Sequence, residues 1–538
     1  VVFPEFERLS SRQCCMRRAV AAQARVQRTA SARPQLRPRA AHLKAHKTAD
    51  EPGATAEAPE VPVMLGAGAE LVAAAVSSTA ARSRAPTVRD RPRPEEPKLT
   101  IFSGGTAFNG LVSALREYTD CVTHVLPVSD DGGSTAEVVR VLGGPAVGDI
   151  RSRCLRLSDD STAEARAVRS LLGHRLPARD AAGAKIEWYQ IVEGEHELWE
   201  GVSAPYKDVI RSFLVYFHSQ ILRHATERFC FANGSIGNFF FAGARIFFRS
   251  LDAAVFLYSR VSGIPAESFV LPVTSTNDSL TLGAELEDGT LIRGQSAVSH
   301  PSPPAALSSS VASSSSCAAE GRGGGSVDVV DKTRGGAADA PLASPIRRVL
   351  YLSTEETQEL HEVSPIVNVA VKSNITASDA IVYGVGSLYT SICPSLILKG
   401  VGESIAGRAC PKLLMLNGSH DRETYGMKAS DVVRAVVAAL NREHSRRRGE
   451  SLAHGASEYV TALLAPRDGE IEVDHDELAA LGVEVYLVDS TPDQLGGALY
   501  HPESFVETLR LILHLHHARA SYDDDEATLV EQLHLNSG

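Results

Sequence analysis

Between Leu99 and Leu142 the apolar residues recur with two alternating spacings. Leu99 to Phe102 and Cys121 to Val128 are short apolar runs, the pattern of buried strands. Within Ala107 to Glu117, by contrast, Phe108, Leu111, Val112 and Leu115 fall at helical spacing, and Glu137 to Leu142 are again helical in pattern. Each strand breaks at a small-residue turn, Ser103-Gly104-Gly105-Thr106 after the first and Ser129-Asp130-Asp131-Gly132-Gly133-Ser134 after the second. Two strands that deliver such turns to one edge open a doubly wound sheet, in which ligands sit at the carboxyl ends of strands. The expected class is α/β: a doubly wound, Rossmann-like, mostly parallel sheet with helices on both faces.

The pattern continues along the chain. Thr162 to Leu172 reads as a helix, and Ser203-Ala204-Pro205 starts a longer one with Val209, Phe213, Phe217, Ile221 and Leu222 along one face. His218 and His224 lack the spacing of a zinc pair and read as structural. Ser235, Gly237 and Asn238 precede a strongly apolar helix. Ser268 to Thr276 reads as a strand, and Leu280 to Glu287 with Leu291 to Ala297 as a hairpin about Asp288-Gly289. Further strands are expected at Arg348 to Leu352, Asp379 to Tyr383, Lys412 to Asn417, Tyr459 to Leu464 and Val483 to Val488. Helices are expected from Pro394, over Val432 to His444 with Ser430 and Asp431 as caps, and over Pro502 to His517.

Composition sets the boundaries. Residues 1–49 hold nine Arg and two Lys against only Glu5 and Glu7, the look of an organelle transit peptide, with a chloroplast expected and a mitochondrial or cytoplasmic location as alternatives. Residues 50–97 read as linker, and 98–298 with 346–518 as one domain. Between them, residues 299–345 collapse to Ser, Ala, Gly and Pro, too little apolar surface to offset chain entropy. Residues 519–538 read as an acidic tail. The net charge of −11 argues against a nucleic-acid partner. The longest apolar stretch, Phe229 to Phe248, contains Asn, Gly and Arg, so no membrane span is expected. Eight cysteines include no C-x-x-C, as in a reducing compartment.

Gly104, Gly105 and Thr106 offer free backbone N–H groups at a helix start, which suits a phosphate. Asp130 and Asp131 suit a divalent cation. Together they point to a nucleotide or sugar-phosphate, although taken singly the glycine turn reads equally well as an ordinary turn and the aspartate turn reads better as one.

The order of the motifs is more specific. Gly-Gly-Thr, Ser-Asp-Asp-Gly-Gly-Ser, then Gly143 to Arg153 (GGPAVGDIRSR), Asn233 to Asn238 (NGSIGN), Gly384 to Ser391 (GVGSLYTS) and Tyr425 to Asp431 (YGMKASD) together resemble the family of 2-phospho-L-lactate transferase (CofD) and the gluconeogenesis factor YvcK. The wording looks closest to the eukaryotic CofD-like branch, with Ala107 where the family usually has a further glycine. The resemblance implies a transferase that moves a phosphorylated hydroxy-acid group, of the phospholactyl type, from a nucleotide diphosphate donor to the hydroxyl of a small-molecule acceptor such as a deazaflavin. Asp130, Asp131 and Asp149 would hold Mg2+ and be the catalytic acids. Gly104, Gly105, Thr106, Asn238, Gly384, Gly386, Ser387 and Thr390 would bind phosphate and nucleotide, and Arg151 or Arg153 would add positive charge. The YvcK side implies instead a non-catalytic nucleotide-sugar-binding regulator. A homodimer is compatible with either.

Overall fold

The computed structural model describes residues 96–130, 132–224, 228–299, 341–354, 359–442, 454–493 and 497–535, with side chains to residue 520. The expected transit peptide lies outside the described residues, as do nearly all of the linker and the low-complexity insertion.

Seven strands form one parallel sheet: β1 (Leu99–Phe102), β2 (Val122–Leu126) and β3 (Phe269–Pro272) from the first half of the chain, and four more from the second. Before those four come three strands of a smaller sheet, β4 (Thr281–Leu286), β5 (Leu291–Arg293) and β6 (Ile346–Ser353), which β7 (His361–Val363) completes. The large sheet resumes with β8 (Ala380–Tyr383), β9 (Lys412–Met415), β10 (Ala462–Pro466) and β11 (Glu484–Val488). Its spatial order is β11-β10-β9-β8-β1-β2-β3, all parallel, and the smaller sheet is antiparallel in the order β5-β4-β6-β7. Strand order therefore runs outward in both directions from the β1/β8 pair, in register Leu99↔Ala380 to Phe102↔Tyr383. That pair is the switch point, where the loops after neighbouring strands splay apart and leave a crevice.

Alternate strand residues feed two cores. Leu99, Ile101, Val122 and Leu126 pack with the first-half helices on one face, whereas Phe102, Val125, Ile381 and Tyr383 pack on the other. The first-half helices are α1 (Val112–Tyr118), α2 (Gly133–Leu142), α3 (Gly148–Leu157), α4 (Ala163–Gly173), α5 (Ala181–Glu193), α6 (Ala204–Arg223), α7 (Ile236–Phe248) and α8 (Leu251–Val261). At their centre Phe239 of α7 meets Phe217 in a stack 4.6 Å apart and Trp188 edge-on at 5.0 Å. His218 accepts the indole N–H of Trp188 at 3.1 Å, so that histidine is structural. No helix among the described residues is long and apolar enough to cross a membrane.

Several boundaries depart from the pattern, each for a local reason. The helix expected from Ala107 is a 3-10 turn (Ala107–Gly110) followed by α1, because the Asn109 amide folds back onto the Gly105 carbonyl at 2.6 Å. The expected second strand of the hairpin stops at Arg293: Gly294, at φ +93°, turns the chain into a short helix, Gln295–Ser299. The helix expected from Val432 starts at Ala429. Asp431 does accept the Lys428 N–H at 3.0 Å, but the Ser430 hydroxyl bonds Asp474 instead. The last helix does not end at His517 but runs to Leu535, since neither Gly nor Pro interrupts the chain after Pro502 until Gly538.

Candidate functional site

Four loops leave the carboxyl ends of β1, β2, β8 and β9, and main-chain hydrogen bonding decides their shapes. After β1, Gly104 and Gly105 are buried while Thr106 is exposed and caps nothing. The Gly105 carbonyl accepts from Asn109 and from Ser152 of α3 at 2.9 Å. The Gly104 carbonyl accepts from Arg153 at 3.1 Å, and the same guanidinium donates to Ser103 and meets His124 Nδ1 at 3.0 Å. Arg153 is fully buried; burial lowers it to about 10, with Asp149 acting the other way, so it stays cationic at neutral pH. Burial, then Arg153, holds His124 well below its usual range, which leaves a neutral ring able to accept. Arg153 is thus a strut for the first turn. Arg151 is also buried, its stem against Gly237 and its Nε without a partner.

The β8 loop faces the first turn across the switch point. A Cβ on Gly104 would lie 2.9 Å from Ser391 Oγ, and one on Gly386 3.3 Å from Ser391 Cβ and 3.9 Å from the Gly104 nitrogen. The Ser391 side chain packs against both glycine turns. Gly384 N–H prolongs the ladder to Phe102 at 2.8 Å. Gly386, at φ +147°, is clamped on both sides by Asn417 from the end of β9: its N–H donates to Oδ1 at 3.1 Å and its carbonyl accepts from Nδ2 at 2.8 Å. Ser387 is half-buried with no side-chain capping bond.

Thr390 points elsewhere. It sits in a π-helical turn, Leu388–Ile392, where its hydroxyl donates to Glu423 at 2.6 Å and its N–H to the other carboxylate oxygen at 3.1 Å. Glu423 also accepts from the Tyr389 N–H at 2.9 Å and from Ser299 at 2.9 Å. Burial, reinforced by Asp421, pushes this carboxyl up to about 7. The composition of the loop from Gly418 to Gly426 suggested only a polar rim, and no sequence pattern signals that Glu423 is buried beneath the β8 turn. Asn417 and Ser391 carried no separate signal either, beyond standing at a strand end and at the edge of a motif.

Beside the first turn the acids follow one another. Asp130 Oδ1 accepts the Gly132 N–H at 3.1 Å. Its other oxygen lies 2.6 Å, and Thr135 Oγ1 2.8 Å, from where a Cβ on Gly148 would stand. Asp149, the next residue, packs directly over Gly105, where a Cβ would meet its main chain. Asn238 closes the arc, donating to Ser134 at 2.9 Å and Thr135 at 3.3 Å while its own Oδ1 is buried without a partner. Asp130 and Asp149, separated by a helix in sequence, therefore lie at one edge beside Gly105. Asp131 lies outside the described residues, and among those described no three His, Cys, Asp or Glu are grouped to hold a metal ion. Asp130 and Thr135 bring oxygen donors together beside Gly148, with Asp149 next in the chain, and oxygen donors are the chemistry that suits a hard divalent cation.

A parallel sheet whose strand order runs outward from a central pair, with opposed glycine turns at that switch point, defines a doubly wound α/β protein with a crevice at the carboxyl ends of its strands. Residues 99–491 match the family model of 2-phospho-L-lactate transferase CofD, and the chain belongs to that family. It is 32% identical over 418 residues to an uncharacterized protein of Saccharomyces cerevisiae, covering 70% of this chain and 91% of that one. It is 24% identical over 394 residues to a gluconeogenesis factor of Halalkalibacterium halodurans, covering 72% and 87%. A crystal structure of a UPF0052-family protein from Bacillus halodurans superposes with a TM-score of 0.51 at 19% identity, covering 77% of this chain and 99% of that one, and shares the fold.

Proposed function

We propose that this protein transfers a phosphorylated hydroxy-acid group, of the phospholactyl type, from a nucleotide diphosphate donor to the hydroxyl of a small acceptor, for which a deazaflavin is the family's precedent. The acceptor oxygen attacks the phosphorus that carries the hydroxy acid. A phosphodiester forms as the diphosphate bridge breaks, the nucleoside monophosphate leaves with the bridging oxygen, and the acceptor proton passes to solvent. The observation that carries this reading is the meeting of the Gly104-Gly105 and Gly386 turns across Ser391, with Asp130 and Asp149 at their side.

The residues divide the work. The small turns admit the diphosphate close to the main chain, Arg153 fixes the first turn from below, and Asn417 and Glu423 fix the second. Asn238, with one buried acceptor unused, is placed to read a donor group of the ligand. Asp130, Asp149 and Thr135 would hold Mg2+, which when bound offsets charge on the diphosphate. Thr390 belongs to the scaffold of this proposal rather than to the ligand contacts. A chloroplast location, from the composition of residues 1–49, completes it.

A regulator that binds a nucleotide sugar without chemistry is the second reading. It is favoured by the relatives named gluconeogenesis factor. Incubation of the full chain with magnesium and a panel of guanosine and uridine diphosphate conjugates separates the two. Monophosphate release supports transfer, whereas saturable binding with no product under any metal rejects it in favour of the regulator.

A further inference from the structure

Beyond the switch point lies a cleft of about 790 Å3, the size of many small-molecule sites. Its wall carries Arg156 from α3, Arg166 and Arg169 from α4, and Arg175 from the loop that follows. In a chain of net charge −11 these four arginines face one lining acid, Asp160. Asp160 bridges Arg169 at 2.6 Å and gives its carbonyl to Arg166 at 2.8 Å. The remaining bonds go to neutral groups: Arg156 to the Asn109 carbonyl and Ser113 at 3.1 Å each, and Arg175 to the Asn233 carbonyl at 3.3 Å. The His174 ring is bonded to Glu187.

Asp160 is the one carboxylate among the lining residues, and Asp130 acts on Arg175 from outside them, so an anion able to bridge several of the four guanidiniums at once finds more positive than negative charge in the cleft. Each guanidinium presents a planar fork suited to phosphate or carboxylate oxygens. Arg166 and Arg169 stand one turn apart on α4 and so share a face. Asn109 and Ser152, the two side chains that hold the Gly105 carbonyl, line the cleft beside Arg156. The cleft is therefore contiguous with the first glycine turn while being lined by different residues.

We propose that this cleft is a binding site for a small polyanion, a molecule with two or more phosphate or carboxylate groups spaced to engage several of these arginines together. The site stands whether or not group transfer occurs at the switch point. Calorimetric titration of the full-length protein with tripolyphosphate and with citrate tests it. Binding of either, weakening as salt is raised, is expected. Stronger binding of tripolyphosphate identifies a phosphate ligand, and of citrate a carboxylate one. The double variant R166Q/R169Q raises the dissociation constant at least about tenfold, in line with the loss of charge-assisted bonds. Asp160→Asn, which frees Arg169, lowers it by about threefold. Tightening cannot arise from a folding defect, so the second variant guards the first. Absence of submillimolar binding of both probes, or wild-type affinity in both variants, overturns the proposal.

Discussion

Glu423 is buried with its carboxylate beneath the β8 turn, and its ionisation must register in the stability of the whole fold. Burial first, and the Asp421 charge second, raise this carboxyl from 4.5 to about 7. In the unfolded chain it returns to the ordinary value. Between the two, the native state binds a proton that the unfolded state has lost, so stability is full below the unfolded value, declines as pH rises through this window, and is flat above it. The loss is on the order of 3 kcal/mol, a shift of this size converted at about 1.4 kcal/mol per pH unit. Glu423→Gln removes the titration while keeping the shape. The amide oxygen accepts the Tyr389 and Thr390 N–H groups, and the amide nitrogen donates to the Thr390 and Ser299 hydroxyl oxygens. Urea unfolding followed by the fluorescence of Trp188 and Trp199, both buried, is run at intervals from pH 4.5 to 8. The variant is expected to gain on the wild type between the unfolded and folded values, by on the order of 3 kcal/mol in all, and to hold that gain unchanged to the top of the range. Parallel stability profiles for the two proteins would refute the argument that burial governs this group.

Three further perturbations follow from the geometry. Phe239→Ala empties the centre of the aromatic cluster and is expected to cost about 3–5 kcal/mol in urea unfolding, with no special effect on ligand affinity once the protein is folded. Gly105→Ala drives a Cβ into the Asp149 main chain, so the turn must open and nucleotide binding by calorimetry is expected to fall at least about tenfold. Asp130→Asn and Asp149→Asn are each expected to abolish monophosphate release in the panel assay while changing nucleotide affinity less than the glycine variant does; full turnover in both would remove the acids from the proposed chemistry.

The doubly wound class was legible because fully buried parallel strands are apolar on both faces, and β1, β8 and β9 stand within two residues of where their runs place them. The glycine turns were legible as well, as strand ends. Tertiary hydrogen bonds were not. Nothing in the order of residues distinguishes Thr390, whose hydroxyl is taken by Glu423 from 33 positions away, from a threonine that faces a ligand. The same holds for Arg153, whose helical neighbours give no hint that it braces a turn 49 residues earlier. Long-range pairing of a buried charge depends on which elements the fold brings together, and periodicity reports only what a single element does alone.

The β1/β8 pairing also dictates an order of assembly. Lys98 and Asp379, bonded at 2.8 Å at the foot of the two strands, are 281 residues apart. During synthesis the first three strands emerge long before their central partner, with one parallel edge open to the wrong neighbour. The crevice between them thus waits on a contact that closes a very long loop, and slow folding is the expected consequence for this chain.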